Sequence, residues 1–179
     1  MQAGARVNPV QMTDILFAVP QYKSYWKQEN AVDTEGFYRL TLCTMLQDCA
    51  QRLVDFSESQ TRCLSNDQLL ILENCIDGMH TVYERLYRQG EIRIKTPATI
   101  ESLKQLDNNI IMTLEFVWEN ISRMMKIIDD KKLFNKTSTI INKTLCALAD
   151  TTEERNRLLG LGWESELTAK NKGINNADV

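Results

Sequence analysis

The fold of this chain is decided by residues 101–128, which read ESLKQLDNNIIMTLEFVWENISRMMKII. Apolar residues recur in this segment at steps of three and four, so they fall on one face of a helix with 3.6 residues per turn. Thr96 and Pro97 precede the segment, and proline is favoured at the first position of a helix. The segment therefore predicts a long amphipathic helix. Its apolar stripe consists of Leu103, Leu106, Ile110, Leu114, Val117, Ile121, Met124 and Ile128.

Three other segments carry the same helical spacing. One extends from about Asp33 to Ser59, and the next follows Ser65, which forms the pattern of a capping box with Gln68. The last is expected to extend from about Ser138 to Leu159. Four amphipathic helices with short connections predict an all-α, elongated, up-down four-helix bundle.

Glycines mark the ends and crossings of these helices. Gly78 lies inside the second helix and weakens it by up to about 1 kcal/mol relative to alanine, which a close helix crossing would explain. Gly90 follows the second helix where a left-handed C-cap is expected, and Gly160 ends the fourth. The fourth helix could break near Asp150, because Thr151 and Glu154 offer a second capping box.

The bundle domain is predicted to comprise residues 33–162. Residues 1–32 would form an N-terminal arm, whose aromatic part packs across the bundle as a strap or short helix. Residues 163–179 are polar and predict a flexible tail. The 179 residues include only 7 glycines and 3 prolines, which leaves little room for the tight turns of a β-sandwich.

The composition indicates a water-soluble, intracellular protein, cytoplasmic or nuclear. No apolar run reaches the roughly 18 residues that a membrane span requires, and the N-terminal residues lack the pattern of a secretory signal. The five cysteines are odd in number and irregularly spaced, which argues against a disulfide framework. A net charge of −3 argues mildly against nucleic-acid binding.

The sequence predicts no catalytic residue, no metal site and no cofactor, so we do not expect an enzyme. His80 is the only histidine, which excludes the His-based zinc sites and the di-iron sites of ferritin-like bundles. No Cys-x-x-Cys pair, phosphate-binding glycine loop or Gly-x-Ser-x-Gly elbow occurs. His80 is interpreted as a half-buried structural residue at the edge of the apolar face of its helix.

The leading hypothesis is a non-catalytic protein–protein interaction or assembly module, of the adaptor or scaffold type. Its partner would be another protein or a second copy of the chain. The hypothesis depends on apolar residues that stand outside the main helical stripes, because aromatic and methionine side chains are typical anchors of interfaces. Packing of these residues under the N-terminal strap is the opposing interpretation. The candidate interface residues are Met112, Phe116, Ile127, Leu70, Tyr22, Tyr25 and Trp26.

Two alternatives remain open at the level of sequence. The first is a small-ligand-binding or sensor bundle with a pocket lined by Trp118, Met125 and Tyr83. The second is nucleic-acid or anion binding through a basic cluster that adjoins two tyrosines, although a solvated helix end explains the same cluster. The basic cluster consists of Arg85, Arg88, Arg93 and Lys95.

Overall fold

A computed structural model describes residues 31–88 and 97–161 of the chain. Four helices account for most of them, and no strand occurs within these two ranges. The longest helix has 30 residues and so extends about 45 Å at 1.5 Å per residue. The prediction of an all-α, elongated four-helix bundle is confirmed. The helices are α1 (Ala31–Ser59), α2 (Asn66–Leu86), α3 (Pro97–Lys126) and α4 (Lys131–Leu159).

The order of the helices around the bundle differs from their order along the chain. Extensive contacts join α1 to α2, α2 to α4, and α4 to α3, and α3 also packs against α1. Gln68 near the start of α2 donates to the Ile128 carbonyl that precedes α4, and Asn156 near the end of α4 donates to the Arg85 carbonyl. Neighbouring α2 and α4 are therefore parallel, and α2 and α3 lie at diagonal corners.

The predicted apolar stripes form the core of this bundle. Each helix contributes side chains with almost no exposed surface, which pack into one continuous cluster. Burial on this scale supplies most of the stability of amphipathic helices, because their intrinsic propensity alone is marginal in water. The most deeply buried stripe residues include Leu42, Leu46, Leu53, Leu72, Met79, Ile110, Leu114, Val117, Ile121, Ile141 and Leu148.

Local features of the sequence also appear as predicted. The Ser65 backbone N–H donates to Gln68 Oε1 at 3.0 Å and the Gln68 N–H donates to Ser65 Oγ at 3.4 Å, which completes the capping box. A Cβ atom placed on Gly78 would lie 3.0 Å from Cδ1 of Leu145, so α2 and α4 do cross closely there. Gly160 caps α4 with a left-handed φ of 80°.

The predicted boundaries of the fourth helix were wrong at two points. The helix begins at Lys131 rather than Ser138, because Asp130 caps it by accepting from the Leu133 N–H at 3.0 Å. Phe134, in the added turns, is fully buried. The helix also continues through Asp150 without a break. The N-terminal arm, the Gly90 cap and the tail 163–179 lie outside the described residues.

Candidate docking groove between the first two helices

The predicted interface residues do not converge on one surface. Leu70, Met112 and Phe116 are exposed, at 57%, 67% and 46% of their surface. Leu70 belongs to α2 and the other two belong to α3, and these helices occupy diagonal corners of the bundle. Ile127 is only half-exposed, in the turn that follows α3. Tyr22, Tyr25 and Trp26 lie outside the described residues.

An open groove lies between α1 and α2, near the start of α1 and the end of α2. It contains two recesses, with volumes of about 200 and 270 Å³. Because α1 and α2 are antiparallel neighbours, the recesses follow one another along the same valley. The first is lined by Gly36, Arg39, Leu40, Cys43, Leu86 and Tyr87. The second is lined by Leu46, Gln47, Met79, His80, Tyr83 and Glu84.

Two large apolar side chains in the groove are exposed to solvent. Leu40 is 59% exposed and Tyr87 is 54% exposed. The ring of Tyr87 stacks on that of Tyr83, with centroids 5.6 Å apart and planes inclined by 9°. A Cβ atom on Gly36 would meet nothing within 4 Å, so the floor beside Leu40 is open. The groove thus combines an aromatic wall with unfilled space.

Sequence reasoning missed most of this groove. Leu40 stands two residues before Leu42, so it lies outside the apolar stripe of α1. An apolar residue at such a position was the signal that could have indicated the groove. The sequence predicted Tyr83 to line a ligand pocket, and Tyr83 and Tyr87 are the two tyrosines that adjoin the predicted basic cluster. The interpretation of His80 as half-buried was wrong. This side chain is exposed and lines the second recess.

The helical hairpin that forms the groove is acidic. Residues 31–88 contain nine acidic residues, five arginines and no lysine, a net charge of −4, whereas residues 97–161 contain nine acidic and nine basic residues. The α1–α2 hairpin therefore carries a net negative surface, since long-range charge interactions depend on the local rather than the global balance. The exposed acidic side chains on this hairpin are Asp55, Glu58, Asp67, Glu73, Asp77 and Glu84.

Four of the five arginines in this hairpin are engaged within the bundle. Arg39 Nε lies 2.8 Å from Glu35 Oε1, and the Arg52 guanidinium lies 3.9 Å from the centroid of the Trp118 ring. Arg85 and Arg88 pair with Asp150 and Glu153 of α4. These side chains therefore do little to neutralise the exposed carboxylates beside the groove.

The described part of the predicted basic cluster holds two helices together. Arg85 Nη1 lies 3.5 Å from Asp150 Oδ1, and Arg88 Nη1 lies 3.1 Å from Glu153 Oε1. Arg88 also donates to the Leu161 carbonyl at 3.3 Å. Carboxylates thus already occupy the positions that phosphates would take. Arg93 and Lys95 lie outside the described residues.

A buried ionic cluster ties α1, α3 and α4 together at the same end of the bundle. Arg155 donates from Nη1 to Glu35 at 2.7 Å and from Nε to Asp107 at 2.5 Å. All three side chains have no exposed surface. Sequence analysis missed this cluster, although Arg155 stands four residues before Leu159 of the α4 stripe and Asp107 three before Ile110. A charged residue at a position of an apolar stripe was the signal that could have indicated the buried cluster.

Three of the cysteines are buried and lack the features of nucleophiles. Burial raises the pKa of Cys43 to about 11, against a smaller opposing effect of Arg39, and raises that of Cys49 and Cys75 to about 12. These thiols are protonated at neutral pH, and the thiolate is the reactive form. Cys63 and Cys146 are exposed. Within residues 31–88 and 97–161, no group of three His, Cys, Asp or Glu side chains is placed to hold a metal ion.

The structure does not assemble the predicted small-ligand pocket. Tyr83 lines the second recess, but Trp118 is buried beneath Arg52 and Met125 packs against the core. The two recesses are also open and slightly smaller than the roughly 300–1,000 Å³ typical of small-molecule sites.

Comparisons of the chain with protein-family models, curated proteins and solved structures gave no match. None of the four described helices has the length and apolar content of a membrane span.

Proposed function

We propose that this chain is a non-catalytic protein-interaction module and that the α1–α2 groove is its docking surface. The observation that carries the proposal is the exposure of Leu40 and Tyr87 beside an unfilled recess. A contiguous apolar surface of this kind is unfavourable in water, and burial against a partner would remove it from solvent. Isolated exposed residues such as Leu70 need no such explanation.

The two tyrosines of the groove are well suited to anchor a partner. A tyrosine side chain has few rotatable bonds and a large apolar face, so little conformational entropy is lost when it is buried in an interface. Stacking of Tyr83 on Tyr87 restricts both rings further before any partner arrives. Their hydroxyl groups can stay hydrated or bond to a partner. Such preorganised aromatic residues are enriched among the residues that contribute most to binding.

Met112 and Phe116 offer a second, smaller surface for assembly. They stand four residues apart on α3, so they are neighbours on one helical face, and that face is otherwise polar. The recesses described above do not adjoin them. In addition to the docking role of the groove, we therefore assign them a secondary role as a contact for a second copy or another subunit.

Affinity purification of the tagged full chain from its native cells tests the proposal. Partners that the wild-type chain retains in stoichiometric amounts should be lost by Leu40→Glu. The matched control is Leu70→Glu, because Leu70 has the same side chain and nearly the same exposure, 57% against 59%. Circular dichroism should show that both variants stay helical. Retention of every partner by folded Leu40→Glu, or equal loss by both variants, would contradict the proposal.

A further inference from the structure

We infer that the partner segment bound in the α1–α2 groove is a basic amphipathic helix, with lysine or arginine on one face and aliphatic or aromatic residues on the other. The inference rests on the proposed function and adds the chemistry of the partner. It is drawn from the unbalanced charge of the α1–α2 hairpin and from the spacing of the two recesses.

The first argument is charge complementarity. Glu84 lines the second recess, and Glu73 and Asp77 lie on the exposed side of α2. Asp55 and Glu58 are exposed on α1. No ion pair neutralises these five carboxylates within residues 31–88 and 97–161. A partner with cations beside its apolar face would gain attraction along the α2 side of the groove, and an acidic partner would be repelled. Asp55 and Glu58 lie about 12 Å or more beyond the second recess along α1, so they contribute only to the long-range field.

The second argument is geometric. The α1 residues that line the two recesses are centred about seven residues apart, which corresponds to about 10 Å at 1.5 Å per residue. Two apolar anchors at positions i and i+7 of a bound helix are separated by about 10 Å, and anchors at i and i+4 by about 6 Å. One face of a helix can therefore fill both recesses. An extended strand would place its same-side residues at a repeat of about 7 Å, which matches the separation of the two recesses less well.

A second copy of the chain carries its exposed lysines and its exposed apolar anchors on different helices. Lys131, Lys132, Lys136 and Lys143 are exposed on α4 and could approach the acidic hairpin of a neighbour. However, the exposed large apolar side chains of the described residues all belong to the other three helices. The α4 face therefore lacks residues to fill the recesses, and this favours a different protein as the source of the helix.

The test measures the binding of two labelled peptides to the full chain by fluorescence anisotropy. The first is an 18-residue amphipathic peptide with leucine at i, i+3, i+4 and i+7 and lysine on the opposite face. The second has glutamate in place of every lysine. The full chain should bind the lysine peptide saturably and at least tenfold more tightly than the glutamate peptide. Its affinity should fall as salt is added, since exposed charges are screened.

Variants of the groove locate the binding site. Leu40→Ser with Tyr87→Ser should weaken binding of the lysine peptide about tenfold, and Leu70→Ser should not change it. Removing three carboxylates beside the groove, by Glu73→Gln, Asp77→Asn and Glu84→Gln, should weaken binding at least fivefold. The matched control removes three exposed carboxylates elsewhere, by Glu119→Gln, Asp129→Asn and Glu154→Gln, and should reduce binding less than twofold.

Three results would overturn the inference: no saturable binding, equal affinity for the two peptides, or equal effects of the two carboxylate triples. Sedimentation equilibrium of the chain alone would also overturn it if Leu40→Ser abolished a dimer, because the occupant would then be a second copy. These failures are distinguishable from failure of the proposed function. A cellular partner that depends on Leu40 but not on the acidic rim would leave the proposed function standing, whereas independence of Leu40 would remove both.

Discussion

Arg155 on α4 donates from Nη1 to Oε1 of Glu35 on α1 at 2.7 Å, across 120 residues of sequence. The same guanidinium donates from Nε to Asp107 on α3 and lies 4.8 Å from the centroid of the Tyr38 ring. Tyr38 in turn donates from its hydroxyl to the Asp107 carbonyl at 3.1 Å. One fully buried cation therefore connects three of the four helices, in a place where an unpaired charge would be very unfavourable.

Arg155→Ala should lower the free energy of unfolding by about 3–5 kcal/mol, because it removes the buried cation that Glu35 and Asp107 share, and of these two Glu35 keeps its contact with Arg39. Urea unfolding followed by circular dichroism measures the loss. Arg85→Ala is the control, since its partner Asp150 is 83% exposed, and such surface pairs contribute about 0–1 kcal/mol. A loss below 1 kcal/mol for Arg155→Ala would show that the cluster contributes little. Joint replacement by Glu35→Leu, Asp107→Leu and Arg155→Met should restore most of the stability.

Gly78→Ala and Gly36→Ala should have opposite effects on stability, although both glycines lie inside helices. Alanine gains up to about 1 kcal/mol of helix propensity at either position. At Gly36 nothing opposes the gain, whereas at Gly78 the new Cβ would press on Leu145 at 3.0 Å. Overpacking of this kind typically costs about 1–3 kcal/mol. Thermal unfolding should therefore show a higher midpoint for Gly36→Ala and a lower one for Gly78→Ala.

The clash at Gly78 can be isolated by a double-mutant cycle. In a Leu145→Ala background, Gly78→Ala should become neutral or stabilising, because the side chain that obstructs it is gone. An unchanged effect of Gly78→Ala in that background would place the cause elsewhere than at this helix crossing.

Stability should fall as the pH rises above about 9, through ionisation of the buried cysteines. The pKa of Cys75 is raised by burial from 9.0 to about 12 in the folded protein. A group whose pKa is raised on folding contributes fully below its unfolded pKa, and that contribution is lost as the pH rises toward the folded pKa. Each such thiol adds a slope of up to about 1.4 kcal/mol per pH unit.

Thermal unfolding of variants between pH 8 and 11 tests this pH dependence. Cys75→Ala should decline less steeply than the wild type, after allowance for its lower midpoint at pH 8. Cys63→Ala removes an exposed thiol and should follow the wild-type slope. Identical slopes for all three proteins would contradict the assignment.

Phe116→Asp should leave the bundle folded, with a change in unfolding free energy within about 1 kcal/mol. The side chain is 46% exposed, and surface substitutions away from caps and buried networks usually have small effects. Val117→Asp, at the next position, would bury a charge and should unfold the protein. Loss of helicity in Phe116→Asp at 25 °C would show that this residue is needed for the core. Reduced self-association or partner binding with the fold intact would support the secondary surface on α3.

The sequence by itself determined the four helices and most of their ends. The 3,4 spacing that ends in Met124 and Ile128, the Ser65 capping box and the Gly160 cap depend on residues a few positions apart. Their geometry follows from the backbone of one helix alone. Gly78 could also be assigned to a helix crossing from the sequence, because a missing side chain inside a helix leaves the helix backbone accessible to a neighbouring helix. The start of α4 was misplaced because the polar Asp129–Lys132 segment resembles a turn, although Asp130 caps a helix there.

Only the tertiary structure decided which helix faces meet, and with them the candidate site. Periodicity shows that each helix has an apolar face, but every apolar face can pack against any other. The periodicity of the sequence therefore left the position of α2 beside α4 undetermined. That position pairs Arg85 and Arg88 with α4 carboxylates, and it leaves Leu40 and Tyr87 exposed beside a recess between α1 and α2. Contacts such as Arg155 with Glu35 join residues far apart in sequence, and their energies depend on burial and distance, which local spacing does not determine.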